Sequence, residues 1–134
     1  MKKVILASAI LSLGIAEANA ACNSSTLKGA YITDYSVFFP STPAFCAGVG
    51  IGKSDGIDRF TVSGIEGCNG NIFSVSGQGV YFIRANCTGE ASITFSNGGT
   101  GRYYFTVVNN GKQGSFVITT QGITGAGTLI KRTQ

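Results

Sequence analysis

The sequence predicts an all-β domain in which eight antiparallel strands form an up-and-down barrel held by two disulfides. Three observations lead to this prediction. Turn signals with glycine recur at short intervals, β-branched and aromatic residues dominate between them, and several of these segments alternate apolar with polar side chains. Such alternation indicates a sheet with one dry face, and closure into a barrel removes the exposed edges of that sheet.

The strands follow from the positions of the turns. Seven turn signals separate eight strand-like runs, and Asn69-Gly70 and Asn110-Gly111 are typical of tight hairpins. A short connection joins antiparallel neighbours, so consecutive strands are expected to pair in a meander. The predicted strands are 28–39, 44–53, 57–66, 71–83, 89–96, 101–109, 113–120 and 124–132.

Residues 1–20 have the three zones of a cleaved bacterial-type signal peptide. A start with two lysines is followed by an apolar run too short to cross a bilayer, and Ala18-Asn19-Ala20 supplies the small residues that a signal peptidase recognises. We therefore expect a single mature barrel domain at 21–134, with no transmembrane segment after processing. The protein is then exported, to the periplasm or out of the cell.

All four cysteines lie in the predicted mature domain, and an even number in a small exported domain indicates two disulfides. Alternate turns of an up-and-down meander fall at opposite ends. Cys22 and Cys87 therefore fall at one end of the barrel, and Cys46 and Cys68 fall at the other. Because bridged Cα atoms must come within about 7 Å, the predicted pairs are Cys22–Cys87 and Cys46–Cys68.

Composition excludes several function classes. The chain has ten Lys or Arg and six Asp or Glu, and its basic residues are scattered rather than arranged in the stripe that nucleic acid would need. It has no histidine, which excludes Ser-His and Cys-His nucleophile pairs and His-based zinc sites. We expect no nucleic-acid partner, metal or other cofactor. Enzymatic activity is left open, with a non-enzymatic role favoured.

Two short motifs stand out in the predicted mature domain. Leu27-Lys28-Gly29-Ala30-Tyr31 follows Cys22, and Cys87-Thr88-Gly89-Glu90-Ala91 follows Tyr81. With this pattern the chain resembles an uncharacterised family of small exported bacterial proteins, which open with Cys and Leu-Lys-Gly-x-Tyr and later carry Tyr and Cys-Thr-Gly-x-Ala. The resemblance covers most of the mature domain and rests on spacing more than on identity.

The domain is also distantly similar to the calycin barrels, such as lipocalins and allene oxide cyclase. Those barrels place a Gly-x-aromatic sequence on the first strand and a basic residue on the last. Gly29-Ala30-Tyr31 and either Lys131 or Arg132 fill these positions here, so the resemblance implies a cation over the Tyr31 ring. A lipocalin would have Trp at position 31, a longer chain and a C-terminal helix. The resemblance implies a calycin-like barrel and says little about its ligand.

The interior of the predicted barrel can be filled or open. Eight strands enclose a space just wide enough to be filled by side chains or to hold one small ligand. Aromatic side chains would fill it, whereas the many glycines would leave gaps. The expected inward aromatic set is Phe45, Phe60, Phe73, Tyr81, Phe95, Tyr103, Phe105 and Phe116.

These observations favour an exported, non-enzymatic binding protein. It would hold a small apolar molecule in the barrel mouth or contact an extracytoplasmic protein through its loops. Two alternatives stay open, a filled-core inhibitor or surface-interaction protein and a cyclase- or isomerase-type barrel enzyme. Asp34 and Glu66 would form an acid–base pair only if both faced one cavity. The candidate ligand-binding residues, expected to point inward, are Tyr31, Asp34, Arg59, Gln78 and Tyr81.

Overall fold

The computed structural model describes residues 21–133, and these form one closed antiparallel β-barrel. Each of the eight strands pairs with the next, and the last pairs with the first. The predicted up-and-down, eight-stranded all-β barrel is confirmed. The predicted signal peptide, 1–20, lies outside the described residues and stays a prediction.

The strand bounds agree with the predicted ones to within two residues. A 3₁₀ helix at Ser24–Leu27 precedes the barrel and has no counterpart among the predicted elements. The strands are β1 Gly29–Phe39, β2 Ala44–Ser54, β3 Arg59–Cys68, β4 Asn71–Ile83, β5 Thr88–Phe95, β6 Thr100–Val108, β7 Gln113–Ile118 and β8 Thr124–Lys131.

The strand β3 begins later than predicted because Asp55 organises the turn before it. Its Oδ1 accepts hydrogen bonds from the backbone N–H groups of Ile57, Asp58 and Arg59, at 2.8, 3.1 and 3.0 Å. An Asp that binds backbone donors in this way favours a turn over a strand. The same hydrogen bonds, led by the one from Ile57, hold the pKa of Asp55 below its usual range.

The 3₁₀ helix closes one end of the barrel. Asn23 caps the helix by accepting a hydrogen bond from the N–H of Ser25 at 3.0 Å, while Thr26 Oγ1 accepts one from the N–H of Asn23. Leu27 is buried and belongs to the core cluster at this end, with Tyr31. Within the described residues, no helix is long and apolar enough to span a bilayer.

The two disulfides lie at opposite ends of the barrel. Cys22–Cys87 lies at the helix end, with a Cα–Cα distance of 5.0 Å, and the N–H of Cys22 also donates to the carbonyl oxygen of Ala85 at 3.1 Å. Cys46–Cys68 lies at the other end, where the two residues are directly opposite each other on β2 and β3. These are the two pairs that the meander predicts.

Several inward aromatic rings lie over the glycine directly opposite them on the neighbouring strand. A Cβ built on each of these glycines would come between 2.3 and 2.7 Å from the ring, so only glycine fits beneath it. The rings therefore lean along the barrel wall instead of meeting at its centre. The pairs are Tyr35 with Gly48, Phe60 with Gly79, Phe105 with Gly89 and Phe116 with Gly127.

The strand β2 turns its small residues, not its large apolar ones, towards the interior. Cys46 is 2% exposed, whereas Phe45 and Val49 are 57% and 61% exposed. Phe45 therefore lies on the outer surface, and its place in the expected inward set is wrong. Alternation shows only that the two faces of a strand differ. The ring of Tyr35 over Gly48 decides which face of β2 is the inner one.

Candidate functional site

The barrel encloses a cavity of about 800 Å³. The lining reaches Asn97 and Ile123, in the turns at the Cys46–Cys68 end, and we call this open end the mouth. Leu27 and the residues packed on it form the floor at the opposite end. Pockets that hold small organic molecules have volumes of about 300–1,000 Å³. The interior is therefore open, and the filled core expected for an inhibitor or surface-interaction protein is wrong.

Apolar side chains dominate the wall of the cavity. They come from inward positions on seven of the eight strands, all except β2, and form a continuous surface between the mouth and the floor. Phenolic groups fall in two places, at the floor and towards the mouth. Representative wall residues are Val62 on β3, Val75 on β4, Ile93 and Phe95 on β5, Ile118 on β7 and Leu129 on β8.

Tyr31 and Tyr81, two of the predicted ligand-binding residues, line the floor. The hydroxyl of Tyr31 donates to the carbonyl oxygen of Gly111 at 2.6 Å. The hydroxyl of Tyr81 donates to the carbonyl oxygen of Ser24 at 3.0 Å and accepts from the hydroxyl of Ser54 at 2.9 Å. Burial raises the pKa of Tyr31 to about 12. The hydroxyl of Tyr31 is thus bound to the turn between β6 and β7, and that of Tyr81 to the 3₁₀ helix. These two residues therefore contact the cavity mainly through their rings.

A cation lies over the Tyr31 ring, as the calycin resemblance implies. The Nζ of Lys131 lies 5.7 Å from the ring centroid, within the range of a cation–π contact. Arg132, the other candidate, donates its backbone N–H to the carbonyl oxygen of Ala30. Lys131 thus helps to hold the first and last strands together at the closed end.

Three of the predicted site residues, Asp34, Arg59 and Gln78, do not line the cavity. Asp34 accepts hydrogen bonds from the hydroxyl and the N–H of Thr128 on the outer face. Arg59 is exposed at the start of β3, 3.9 Å from the carboxylate of Asp58.

Gln78 is likewise exposed, between two glycines on β4. Successive side chains of a strand point to opposite faces, so Asp34 must face outward when its neighbour Tyr35 faces inward. The expectation that Asp34, Arg59 and Gln78 point into the barrel is wrong. Asp34 and Glu66 lie on opposite faces of the wall and do not form an acid–base pair.

The acidic group that does line the cavity is Glu66. The hydroxyl of Tyr35 donates a hydrogen bond to its Oε2, and its Oε1 lies 3.3 Å from the Sγ of Cys68. Burial raises the pKa of Tyr103 to about 12, with a further contribution from the charge of Glu66. Burial and the hydrogen bond to Glu66 also raise the pKa of Tyr35. We call Tyr35, Glu66 and Tyr103 the mouth cluster.

The inward position of Glu66 has a signal in the sequence. Starting from the aromatic Phe60, a period of two places Val62, Gly64 and Glu66 on the same face of β3 as Phe60. Among the residues singled out from the sequence, Glu66 is named only as a partner for Asp34. The pattern of β3 shows the face on which Glu66 lies, but it does not show which residues of other strands surround it.

Glu66 of the mouth cluster also belongs to a group of three potential metal ligands. Glu66, Cys46 and Cys68 offer ligand atoms within 4.8 Å of one another. The two sulfurs form a disulfide, so neither is the thiolate that binds a metal ion. This arrangement leaves one carboxylate, which is too few ligands for a metal centre.

Comparison with known proteins shows the fold alone. No protein-family model and no curated protein matches this chain. Among solved structures it is similar to a de novo designed transmembrane β-barrel, with a TM-score of 0.56 and 10% identity over 77% of this chain and 94% of that one. The fold and the cavity define a closed antiparallel β-barrel with an internal pocket.

Two further designed barrels are similar. One is the redesigned β-barrel mFAP1 bound to DFHBI, with a TM-score of 0.54 and 15% identity over 81% of this chain and 97% of that one. The other is a de novo designed fluorescence-activating β-barrel, with a TM-score of 0.56 and 10% identity over 83% of this chain and 99% of that one.

Proposed function

We propose that this protein is an exported, non-enzymatic binding protein that holds a small apolar molecule inside its barrel. The observation that carries this proposal is the cavity of about 800 Å³ with an apolar wall and a mouth at one end. Burial of apolar ligand surface is worth roughly 25 cal/mol per Å² removed from water. Two disulfides and unbroken strand pairing keep the pocket formed without ligand, which lowers the entropic cost of binding.

The designed barrels support this proposal. The mFAP1 barrel was solved bound to DFHBI, and the other of the two is a fluorescence-activating barrel. Their likeness to this chain concerns the fold, and it indicates that a barrel of this architecture has room for a small molecule.

Export and family membership are parts of the same proposal. Disulfides are typical of oxidising compartments outside the cytoplasm, and the predicted signal peptide at 1–20 would direct the chain there. We assign the protein to the periplasm or the cell exterior, and to the uncharacterised exported family that it resembles. The contact of Lys131 with the Tyr31 ring supports the calycin-like subtype.

The orientation of the polar side chains favours binding over catalysis. A cyclase- or isomerase-type enzyme would need polar groups aimed at its substrate. Asp34, Arg59 and Gln78 face away from the cavity, and the hydroxyls of Tyr31 and Tyr81 are bound to backbone carbonyls. Glu66, the one acidic side chain in the described lining, already accepts a hydrogen bond from the hydroxyl of Tyr35.

Binding can be tested with N-phenyl-1-naphthylamine, a neutral dye that fluoresces in apolar surroundings. Val62→Trp puts bulk into the cavity, whereas Thr61→Trp puts the same group on the outer face one residue away. Wild type and Thr61→Trp are expected to bind the dye equally, and Val62→Trp is expected to bind it at least about tenfold more weakly because its indole occupies the site. Equal binding by both variants would place the dye outside the barrel and overturn the proposal.

A further inference from the structure

Among the described residues 21–133, Glu66 is the one acidic side chain in the cavity lining. No Lys or Arg of that range forms a salt bridge with it, since the two salt bridges found there join Arg59 to Asp58 and Arg84 to Glu90. A carboxylate in an apolar cavity loses hydration, and a hydrogen bond from a neutral hydroxyl replaces only part of it. Within the described part of the chain, Glu66 therefore lacks the cationic partner that would stabilise it most.

The charge of the lining favours a cation over other ligands. An anion would be repelled by Glu66, and the hydroxyl of Tyr35 is already donated to that carboxylate. Lys53 borders the cavity, but its side chain is exposed. A neutral ligand would leave the carboxylate without a cation. An ammonium group would supply the missing cation, and a hydrogen bond between charged groups is stronger than one between neutral groups.

Aromatic rings add to this preference. Tyr35 and Tyr103 belong to the mouth cluster, and Tyr103 packs edge-to-face on Phe116 with ring centroids 5.7 Å apart. Aromatic faces attract cations and also accept apolar carbon, so these rings are compatible with both ends of an alkylamine. The faces of the same rings do not attract an anion in this way.

The position of Glu66 suits a molecule with a charged head and an apolar tail. Glu66 lies two residues from Cys68 at the mouth, whereas Leu27 forms the floor at the far end. An ammonium group at Glu66 stays close to water, which limits its cost of dehydration. The tail then extends past Val62 and Ile93 towards the floor.

We infer that the ligand of this cavity is an apolar molecule carrying one protonated amine, with its ammonium group bound by Glu66 and its tail in the barrel. This inference rests on the proposed function and deepens it by assigning the charge of the ligand. Glu66 is then a residue that determines specificity, and Tyr35 positions it.

Three probes with the same ten-carbon chain test the inference: n-decylamine, n-decanol and decanoate. Their displacement of N-phenyl-1-naphthylamine is measured at pH 7, below the concentrations at which they aggregate. The oxidised wild-type protein is expected to bind decylamine about tenfold more tightly than decanol, and decanoate most weakly. Glu66→Gln keeps the size of the side chain and an acceptor for Tyr35, and it should abolish the preference for decylamine over decanol.

Two further variants sharpen the test. Glu90→Gln removes an exposed carboxylate on the outer face of β5 and should keep the wild-type preference. Glu66→Lys should reverse the order, so that decanoate binds more tightly than decylamine, an effect that a merely structural role for Glu66 would not produce.

The outcomes separate the inference from the proposed function. If wild type binds decanol but shows no preference for decylamine, or if Glu66→Gln keeps that preference, the inference is overturned and the proposed function stands. If Val62→Trp does not weaken dye binding and none of the three probes displaces the dye, the proposed function fails. The inference then fails with it.

Discussion

The ring of Phe116 lies across Gly127, the residue directly opposite it on β8. A Cβ on Gly127 would come 2.4 Å from the Cζ of that ring and 2.2 Å from the carbonyl oxygen of Asp34. Tyr35 has the same relationship with Gly48 across β1 and β2. Because these rings lean on glycine along the wall, aromatic residues that could have filled the barrel leave its centre open.

Gly127→Ala is expected to lower the free energy of unfolding by about 1–3 kcal/mol, because the added methyl group forces the Phe116 ring or the β1 backbone to move. Urea denaturation of the oxidised protein measures this. Gly52→Ala is the matched control, since its Cβ would lie 3.8 Å from its nearest neighbour, Thr33. The control should be neutral or stabilising by up to about 1 kcal/mol. Similar losses in both variants would contradict the role given to the ring.

The two disulfides are expected to contribute unequally. Removal of Cys22–Cys87, which spans 65 residues, should cost about 4 kcal/mol on the chain-entropy model, and removal of Cys46–Cys68, which spans 22, about 3 kcal/mol. The first bridge also ties the 3₁₀ helix to the barrel, so its loss loosens the floor. Paired Cys→Ser variants compared by urea denaturation test the order. A larger loss from the shorter loop would contradict it.

Stability should fall at alkaline pH. Burial raises the pKa of both Tyr31 and Tyr103 to about 12, above the value of about 10 expected in the unfolded chain. The neutral phenol is therefore favoured by the folded state, and its contribution is complete below pH 10 and lost as pH rises through 12. Each group lowers the free energy of unfolding by at most about 1.4 kcal/mol per pH unit in that window.

Urea denaturation between pH 8 and 12, with short incubations that spare the disulfides, measures this decline. Tyr103→Phe should make the decline shallower. Tyr104→Phe, which changes a tyrosine on the outer face of the same strand, should leave it as in wild type. Equal slopes for all three proteins would show that the ionisation of Tyr103 is not coupled to unfolding.

Leu27→Ala tests the floor of the cavity. Leu27 is 7% exposed, so its truncation should lower the free energy of unfolding by about 2–4 kcal/mol. The space left behind deepens the cavity, and n-dodecanol should gain affinity relative to n-decanol. Ile57→Ala, at a position 70% exposed, should change neither quantity. An unchanged ratio of the two alcohols in Leu27→Ala would mean that ligand tails do not reach the floor.

Much of the fold was predictable because its determinants are local. Turn residues such as Asn69-Gly70 mark hairpins by their backbone preferences, and the strands between them have a period of two. The disulfide pairs followed from the meander, since it decides which turns share an end. The 3₁₀ helix was missed because four residues are too few for a periodic pattern.

The site was less predictable. Tyr31 and Tyr81 line the cavity as expected, but Asp34 lies three positions from Tyr31 and so on the opposite face of β1. Glu66 shares a face with the inward Phe60, yet nothing adjacent to it in sequence indicates Tyr35 or Tyr103 as neighbours. The mouth cluster joins β1, β3 and β6, and only barrel closure brings them together.

The strands, their order and the pairing of the cysteines can be derived from the sequence alone, because backbone preferences and short connections act over a few residues. Contacts between strands establish which face of β2 is the inner one, where Glu66 lies and whether the barrel is filled. Those features depend on the direction in which rings such as Phe116 lean across a neighbouring strand. Glycines such as Gly127 set that direction by leaving space that no local pattern reveals.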